Sequence, residues 1–574
     1  MPNLRPLITW LLLCSAVTAF LTSSRLAVGQ DESYQGARGK NGAIATGSKL
    51  AAEAGLGMLR SGGNAADAAT ATMLVQTVVE ARLFCFGSEV PIIVYDSKRD
   101  VVEVIVGLGA APELATREWF IENRGGVIQG RGDIANCVVP GFLDAVLTLL
   151  QRYGTRSFEN CSKPMLAELK RRSEMSLEAV NKQTKSKSDA VEWIKHHKNF
   201  HRLITRLVEA EKAAGKDRLS GLQAVHDYFY RGPIAEEIDA WSRKNGGLLR
   251  YADFANHQTR IDQPRSIEFR GHTIYKCDVW TQGPCLLQTL NLLADRDLEK
   301  MDRDSADYIH LVTEAMKLGF ADRDAFYGDP TFVEVPIQQL LSSDYTALRR
   351  PLIKMDTASQ VQQPGDPIKM KSLLGVPPKD YKVVSGFSED TSNCLVADKW
   401  GNVIAATPSG WGGVPAGDTG VQLGSRMIGL VTWKDHPSMV QPGKRPRITL
   451  TPTLVMRDGK PVFAVSVAGG DRQDQASIQI LLNRLVFGFD PATAVRSPRF
   501  STGHHIDWFG HMKAKLGTLT VTKDTSKTII NELKTRGHEI GTGRTAGASV
   551  VLAIDPETGE KHAAADRGKV AVGY

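Results

Sequence analysis

Four polar residues near position 400 have the types and spacing of a hydroxyl-nucleophile site. Residues 390–411 read DTSNCLVADKWGNVIAATPSGW. Two runs, 393–397 and 403–406, are rich in strand formers. They flank Asp398-Lys399-Trp400-Gly401-Asn402, whose Asp, Gly and Asn favour a tight turn. Setting Asp398 opposite Asn402 puts Thr391 across from Ser409 and Asn393 across from Thr407. A side-chain period of two then turns all four toward one face. Three hydroxyls and an amide at one end of a hairpin suit acyl transfer, with Thr391 as candidate nucleophile.

The surrounding elements must hold that hairpin. Residues 42–79 read as a short strand, a helix over 49–61 and a second helix opening at Asn64, a good N-cap. Gly62-Gly63 closes the first helix, and the small residues 65–71 allow close packing on a sheet. Residues 84–106 alternate strands and turns. Residues 156–250 read as a charged helical layer with an apolar stripe at Trp193, Ile194, Leu203, Ile204 and Leu207. His197 and His201 lack a carboxylate or Cys at matching spacing, so no metal is expected. Helices are expected over 286–294 and 305–321, with Asp322-Arg323 as a structural ion pair. The polar segment 355–390 reads as a long connection. A strand over 462–467, then Gly469-Gly470-Asp471, then a helix over 473–486 aim backbone N–H groups at one spot. A helix over 526–536 and two strands around Gly559 close the chain. This alternation fits a layered α/β sandwich.

Composition excludes several classes. The chain has 574 residues, 42% hydrophobic and 23% charged, with a formal net charge of +7. No basic run is interleaved with aromatics, so no nucleic-acid partner is expected. Arg5, the apolar residues 7–21 and Ala27-Val28-Gly29 read as a secretory signal over 1–29, which predicts a secreted or periplasmic protein. No later apolar run reaches the roughly 18 residues of a membrane helix, so no stable span is expected. Cys85, Cys137, Cys161, Cys277, Cys285 and Cys394 are too sparse for a disulfide scaffold, and several sit in apolar contexts.

Beyond the hairpin, a series of short motifs occurs in order. They are Ser61-Gly62-Gly63-Asn64-Ala65-Ala66-Asp67-Ala68, Val139-Pro140-Gly141, Tyr153-Gly154-Thr155, Glu314-Ala315 and Ala321-Asp322-Arg323. Thr391, Gly401-Asn402, Arg445-Pro446, Thr451-Pro452-Thr453, Gly469-Gly470 and Asp566-Arg567-Gly568 follow. On these residues the chain resembles the gamma-glutamyltransferase (gamma-glutamyltranspeptidase) family of N-terminal-nucleophile hydrolases. The resemblance implies one four-layer αββα unit assembled from two fragments, 30–390 and 391–574, which stay associated after self-cleavage at Asp390–Thr391. It implies that the freed Thr391 is nucleophile and, through its α-amine, base. Thr407 would orient it, Asn393 would hold the amine or a water, and Gly469 and Gly470 would stabilise an oxyanion. No cofactor is implied.

The substrate positions depart from the family pattern. Leu108 stands where relatives carry an Arg for the substrate α-carboxylate, and Ile448-Thr449 where they carry two Ser. Trp411, Arg426 and Gly429 align with their ammonium-binding Asn, Gln or Glu, and Asp. Ser409 replaces a Thr, and the covering segment 433–443 is short. These changes predict an amidohydrolase with altered acyl specificity, for a small-molecule or peptide amide whose acyl part bears a carboxylate but no α-amine. Ser409, Trp411, Arg426 and Thr449 would contact it. A genuine gamma-glutamyltransferase and an unprocessed, non-catalytic binding homologue are the alternatives.

Overall fold

The computed structural model describes residues 36–128, 130, 132–374, 391–410, 413–508, 513–545 and 547–574. Two seven-stranded antiparallel sheets face each other. The first runs β18 (Val570–Gly573), β2 (Gly42–Thr46), β8 (Cys394–Asp398), β9 (Val403–Ala406), β3 (Val90–Asp96), β4 (Val101–Gly107) and β5 (Arg260–Asp262). The second runs β1 (Gly36–Gly39), β17 (Lys561–Ala565), β16 (Ser549–Ile554), β13 (Lys460–Val467), β12 (Thr453–Arg457), β7 (His272–Lys276) and β6 (Arg265–Phe269). Two short pairs, β10 (Val414–Pro415) with β11 (Gln422–Leu423) and β14 (Thr518–Val521) with β15 (Glu539–Thr542), lie outside them.

Side-chain alternation builds the layers. In the β8–β9 hairpin, Leu395, Ala397, Val403 and Ala405 join the apolar layer between the sheets. Cys394, Val396, Ile404 and Ala406 turn outward to the helices Lys49–Arg60, Ala65–Val79 and Phe142–Tyr153. The second sheet is covered by Gly283–Leu293, Ala306–Phe326 and Arg472–Leu485. The result is the expected four-layer αββα sandwich. Ala43, Ala45, Ala397, Ala464, Ala563 and Ala571 line much of the middle layer, and their small size lets the sheets approach closely.

Residues from distant motifs meet. Asn64 caps Ala65–Val79 by accepting from the Ala66 and Asp67 N–H groups, while Asp67 accepts from the Asn64 N–H at 2.9 Å. The same buried Asp67 carboxylate takes the Thr155 and Arg156 N–H groups at 2.9 and 3.0 Å. At the far end of the hairpin, Asp398 accepts from the Trp400 and Asn402 N–H groups and reaches the Ala65 N–H at 2.8 Å. The turn is thereby fixed to a helix start.

Most expected helices form within a few residues of their predicted ends; the strand β18 is an addition. The six cysteines among the described residues are buried, and none of them forms a disulfide there. Asp322 pairs with Arg349 rather than with its neighbour, and Arg323 pairs with Asp324 and Asp471. The signal segment 1–29, Asp390 and Trp411 lie outside the described residues.

Lys276 on β7 and Asp474 on the helix Arg472–Leu485 form an ion pair at 3.0 Å with both side chains 0% exposed. Lys276 also donates to the Thr451 carbonyl at 2.9 Å and to Thr453 Oγ1 at 3.0 Å. Burial raises the Asp474 pKa to about 6, against the opposing pull of Lys276. Removing one partner strands the other charge. Lys276→Met is therefore expected to lose about 3–5 kcal/mol of stability in denaturant unfolding. Adding Asp474→Leu should restore most of it; a double variant no better than the single would refute the pairing.

Candidate active site

The β8–β9 register is the one set by the turn. Cys394 pairs with Ala406 and Ala397 with Val403, and the Ser392 N–H donates to the Pro408 carbonyl at 2.8 Å. Extending that register places Asn393 opposite Thr407 and Thr391 opposite Ser409. Asn393 and Thr407 point between the sheets, continuing the side occupied by Leu395 and Ala405. There they meet one residue of the facing sheet. Asn393 Nδ2 donates to Ser466 Oγ at 3.1 Å, and Thr407 Oγ1 lies 2.9 Å from the same oxygen. Ser466 Oγ in turn donates to the Ala406 carbonyl at 2.9 Å. Sequence reasoning missed Ser466, although it shares the inward face of β13 with Ala464 and sits three residues before Gly469.

Thr391 is 3% exposed. Its neighbour Ser392 faces the opposite way, accepting from Gln76 Nε2 at 2.7 Å and donating to Glu80. Gln76 also donates to the Asn393 carbonyl at 2.9 Å, as does Thr46 Oγ1 at 2.8 Å. The buried helix Ala65–Val79 therefore fixes the backbone just after Thr391.

Beyond β13 the chain turns sharply at Gly469, φ 138°, and Gly470, φ 56°, a backbone that L-residues rarely adopt. Among the described residues no acceptor engages either N–H. Asp471 closes the turn. It is bound by Arg323 and accepts from the Trp508 N–H at 2.8 Å. A cavity of about 430 Å³ meets the turn at Gly470 and Asp471, with Arg472, His505, Lys513 and Lys515 on its walls.

A gamma-glutamyltranspeptidase family model matches residues 51–573. The chain belongs to that family. It is thus an enzyme of the N-terminal-nucleophile hydrolase class. The chain is 28% identical to the glutathione hydrolase proenzyme of Bacillus subtilis (strain 168), over 99% of this chain and 97% of the relative. It is also 28% identical to the acylase ACY 1 proenzyme of Pseudomonas sp. (strain SE83), over 91% of each. The solved structure of LmbA2991 is 30% identical with a TM-score of 0.82, covering 94% of this chain and 99% of that one. A cephalosporin acylase from Bacillus halodurans, 23% identical, shares the fold with a TM-score of 0.77.

The structure places the residues that the sequence reading aligned with the family's substrate positions. Leu108 is fully buried in the layer between the sheets, and its carbonyl accepts from Arg445 Nε at 2.9 Å. Gly429 is pressed against Trp508 and the Arg447 carbonyl, so any side chain there would overlap the Trp508 ring. Arg426 does not face the site as an unopposed cation, as the sequence suggested. Its Nε donates to Glu89 Oε1 at 2.6 Å and its Nη2 to Ser409 Oγ at 2.8 Å. Burial raises the Glu89 pKa, and Arg426 pulls it back. Glu89 was legible only as a departure from a glycine run; its pairing spans 337 residues of sequence. Thr449 Oγ1 is buried without a hydrogen-bond partner.

The fold also gathers His310, Glu314 and His538 closely enough to hold a metal ion. Each of the three residues already has a hydrogen-bonding partner. His310 Nδ1 and His538 Nε2 share a hydrogen bond at 2.8 Å, and Lys317 Nζ donates to Glu314 at 2.6 Å. The cluster reads as a clasp between helix and tail. No helix among the described residues is long and apolar enough to cross a membrane.

Ser466→Ala deletes the shared partner of Asn393 and Thr407. Two net hydrogen bonds are worth roughly 1–3 kcal/mol, so kcat is expected to fall roughly 5- to 150-fold with KM within about threefold. Steady-state kinetics check this, and an unchanged kcat would remove Ser466 from the site.

Proposed function

We propose that this enzyme cuts its own chain between Asp390 and Thr391 and then hydrolyses amides through an acyl-enzyme on Thr391. The observation that carries the reading is the convergence of Asn393 and Thr407 on Ser466, beside a Gly469-Gly470 turn whose N–H groups are unclaimed. A freed α-amine, with a pKa of about 7.7–8.0, accepts the Thr391 hydroxyl proton as Oγ attacks the substrate carbonyl. The oxyanion falls to the Gly469 and Gly470 N–H groups, worth roughly 2.7–4 kcal/mol per donor. Collapse returns the proton to the leaving amine and leaves an ester. Water, deprotonated by the same amine, then releases the acid. Thr407 positions the nucleophile and Asn393 the amine. Ser409, Trp411, Arg426 and Thr449 shape the acyl pocket.

The favoured acyl group bears a carboxylate and no α-amine. Gly429 leaves no room for an acid, and Glu89 is ion-paired with Arg426, so an ammonium finds no uncompensated carboxylate charge at these positions. The relatives named acylase and glutathione hydrolase are each 28% identical to the chain, which leaves the genuine glutathione hydrolase as the second reading. The hydrophobic leader over 1–29 supports export.

Purified protein is expected as two chains, the smaller being 391–574, with Thr391→Ala remaining single and inactive. Intact-mass spectrometry reads this, and active full-length material would sink the mechanism. Because the amine works only when neutral, kcat/KM should fall as pH drops through about 8–7. Glutaryl p-nitroanilide should be cleaved at least about tenfold faster than its gamma-glutamyl counterpart, since buried polar sites discriminate strongly. The reverse order would establish the second reading.

A further inference from the structure

Arg447 is 5% exposed, yet among the described residues no hydrogen bond or ion pair engages its guanidinium. Buried arginines almost always have such partners, because an uncompensated charge in a dry site is costly. The guanidinium lies over the Trp508 ring at 4.4 Å from its centroid. That face contact leaves the in-plane N–H donors unspent. Trp508 itself is pinned to Asp471, next to Gly470.

The segment that carries Arg447 is fixed against the same turn. Ile448 pairs with Thr281, donating its N–H to the Trp280 carbonyl at 3.0 Å and accepting from the Gln282 N–H at 3.0 Å. With its amide correctly oriented, Gln473 donates to the Thr449 and Val467 carbonyls at 3.0 Å, tying this segment to the end of β13. Arg447 and Thr449 thus flank the Gly469-Gly470 turn, and both carry buried polar atoms without partners, Nε and Oγ1. Arg426, by contrast, is neutralised by Glu89.

We propose that Arg447, with Thr449 Oγ1 as a second donor, is the receptor for the carboxylate on the acyl half of the substrate. This rests on the reading of the site as an amidohydrolase centre. It moves the anion-binding role from the position of the family's Arg, here Leu108, to a residue on a different segment of the chain. The ring of Trp508 supports the guanidinium without using its N–H donors, and a guanidinium can recognise a planar carboxylate in a bidentate way. Burial and the nearby Arg323 lower the Arg447 pKa to about 9, offset in part by Asp324 and Asp471, so it stays charged at neutral pH. A charged group so placed gains by acquiring an anion.

Two substrates isolate the carboxylate: glutaryl and pentanoyl p-nitroanilide, of equal chain length, one ending in COO⁻ and the other in CH₃. The wild-type enzyme should prefer the glutaryl compound. Arg447→Met keeps the bulk over Trp508 and should lower kcat/KM for glutaryl by about 10- to 100-fold, the loss expected of a charged hydrogen bond. The pentanoyl rate should stay within about threefold, and Arg447→Lys should recover part of the preference. A glutaryl preference retained in Arg447→Met would overturn the proposal. So would equal losses on both substrates, which would mark a structural role. If the wild type is uncut and hydrolyses neither compound, the amidohydrolase reading has failed separately. Glutarate binding by calorimetry then decides Arg447: loss in the Met variant supports the receptor, and equal or absent binding in both overturns it.

Discussion

The hydroxyl of Ser466 is a polar joint between two sheets whose facing layer is otherwise mostly apolar. An unpaired polar group in that layer would be costly, so the Asn393 side chain, the Thr407 hydroxyl and the Ala406 carbonyl are held to it together. This fixes both strands of the hairpin against the strand that leads into Gly469-Gly470. The hairpin that carries Thr391, the proposed nucleophile, and the Gly469-Gly470 turn, the proposed oxyanion site, belong to different sheets. Their mutual position depends on how closely those sheets approach, and the small residues of the middle layer set that distance.

A second constraint concerns the two halves of the chain. Gln76 with Ser392, Glu89 with Arg426, Lys276 with Asp474 and Arg323 with Asp471 each join a residue before the proposed cut to one after it. Strands also interleave by origin: β8 and β9 lie between β2 and β3, and β12, β13, β16 and β17 lie between β7 and β1. Breaking one peptide bond between the halves would leave these ladders and buried pairs in place. Both fragments share one core, so neither is a domain in the usual sense.

In the proposed reading of the site, three contacts behind it act as a set. Gly429 makes room for Trp508, Trp508 supports Arg447, and Glu89 neutralises Arg426. The result is a buried arginine backed by an aromatic ring, beside an arginine already paired with an acid. Each change alone would leave a clash or an unpaired charge. A pocket can change its preferred charge only when the residues behind it change as well.

Much of this was written in local sequence. The turn residues Asp398, Gly401 and Asn402 set the hairpin register, and the period of two then decided which of Thr391, Asn393, Thr407 and Ser409 share a face. Asn64 and the run of small residues after it specified a buried, capped helix, and Gly469-Gly470 specified a turn without side chains. Such features depend on neighbours a few residues apart, so the order of residue types carries them. Ser466, Glu89 and Arg447 were not legible in that way. A lone Ser in an apolar strand, a Glu after a Ser and an Arg before an Ile acquire meaning only from partners supplied by other strands and loops. Sequence order determined the chemistry available along the hairpin. Tertiary structure decided which charges are spent and which are left for a substrate, because charge pairing in a dry interior is settled by through-space distance, on which position along the chain imposes almost no limit.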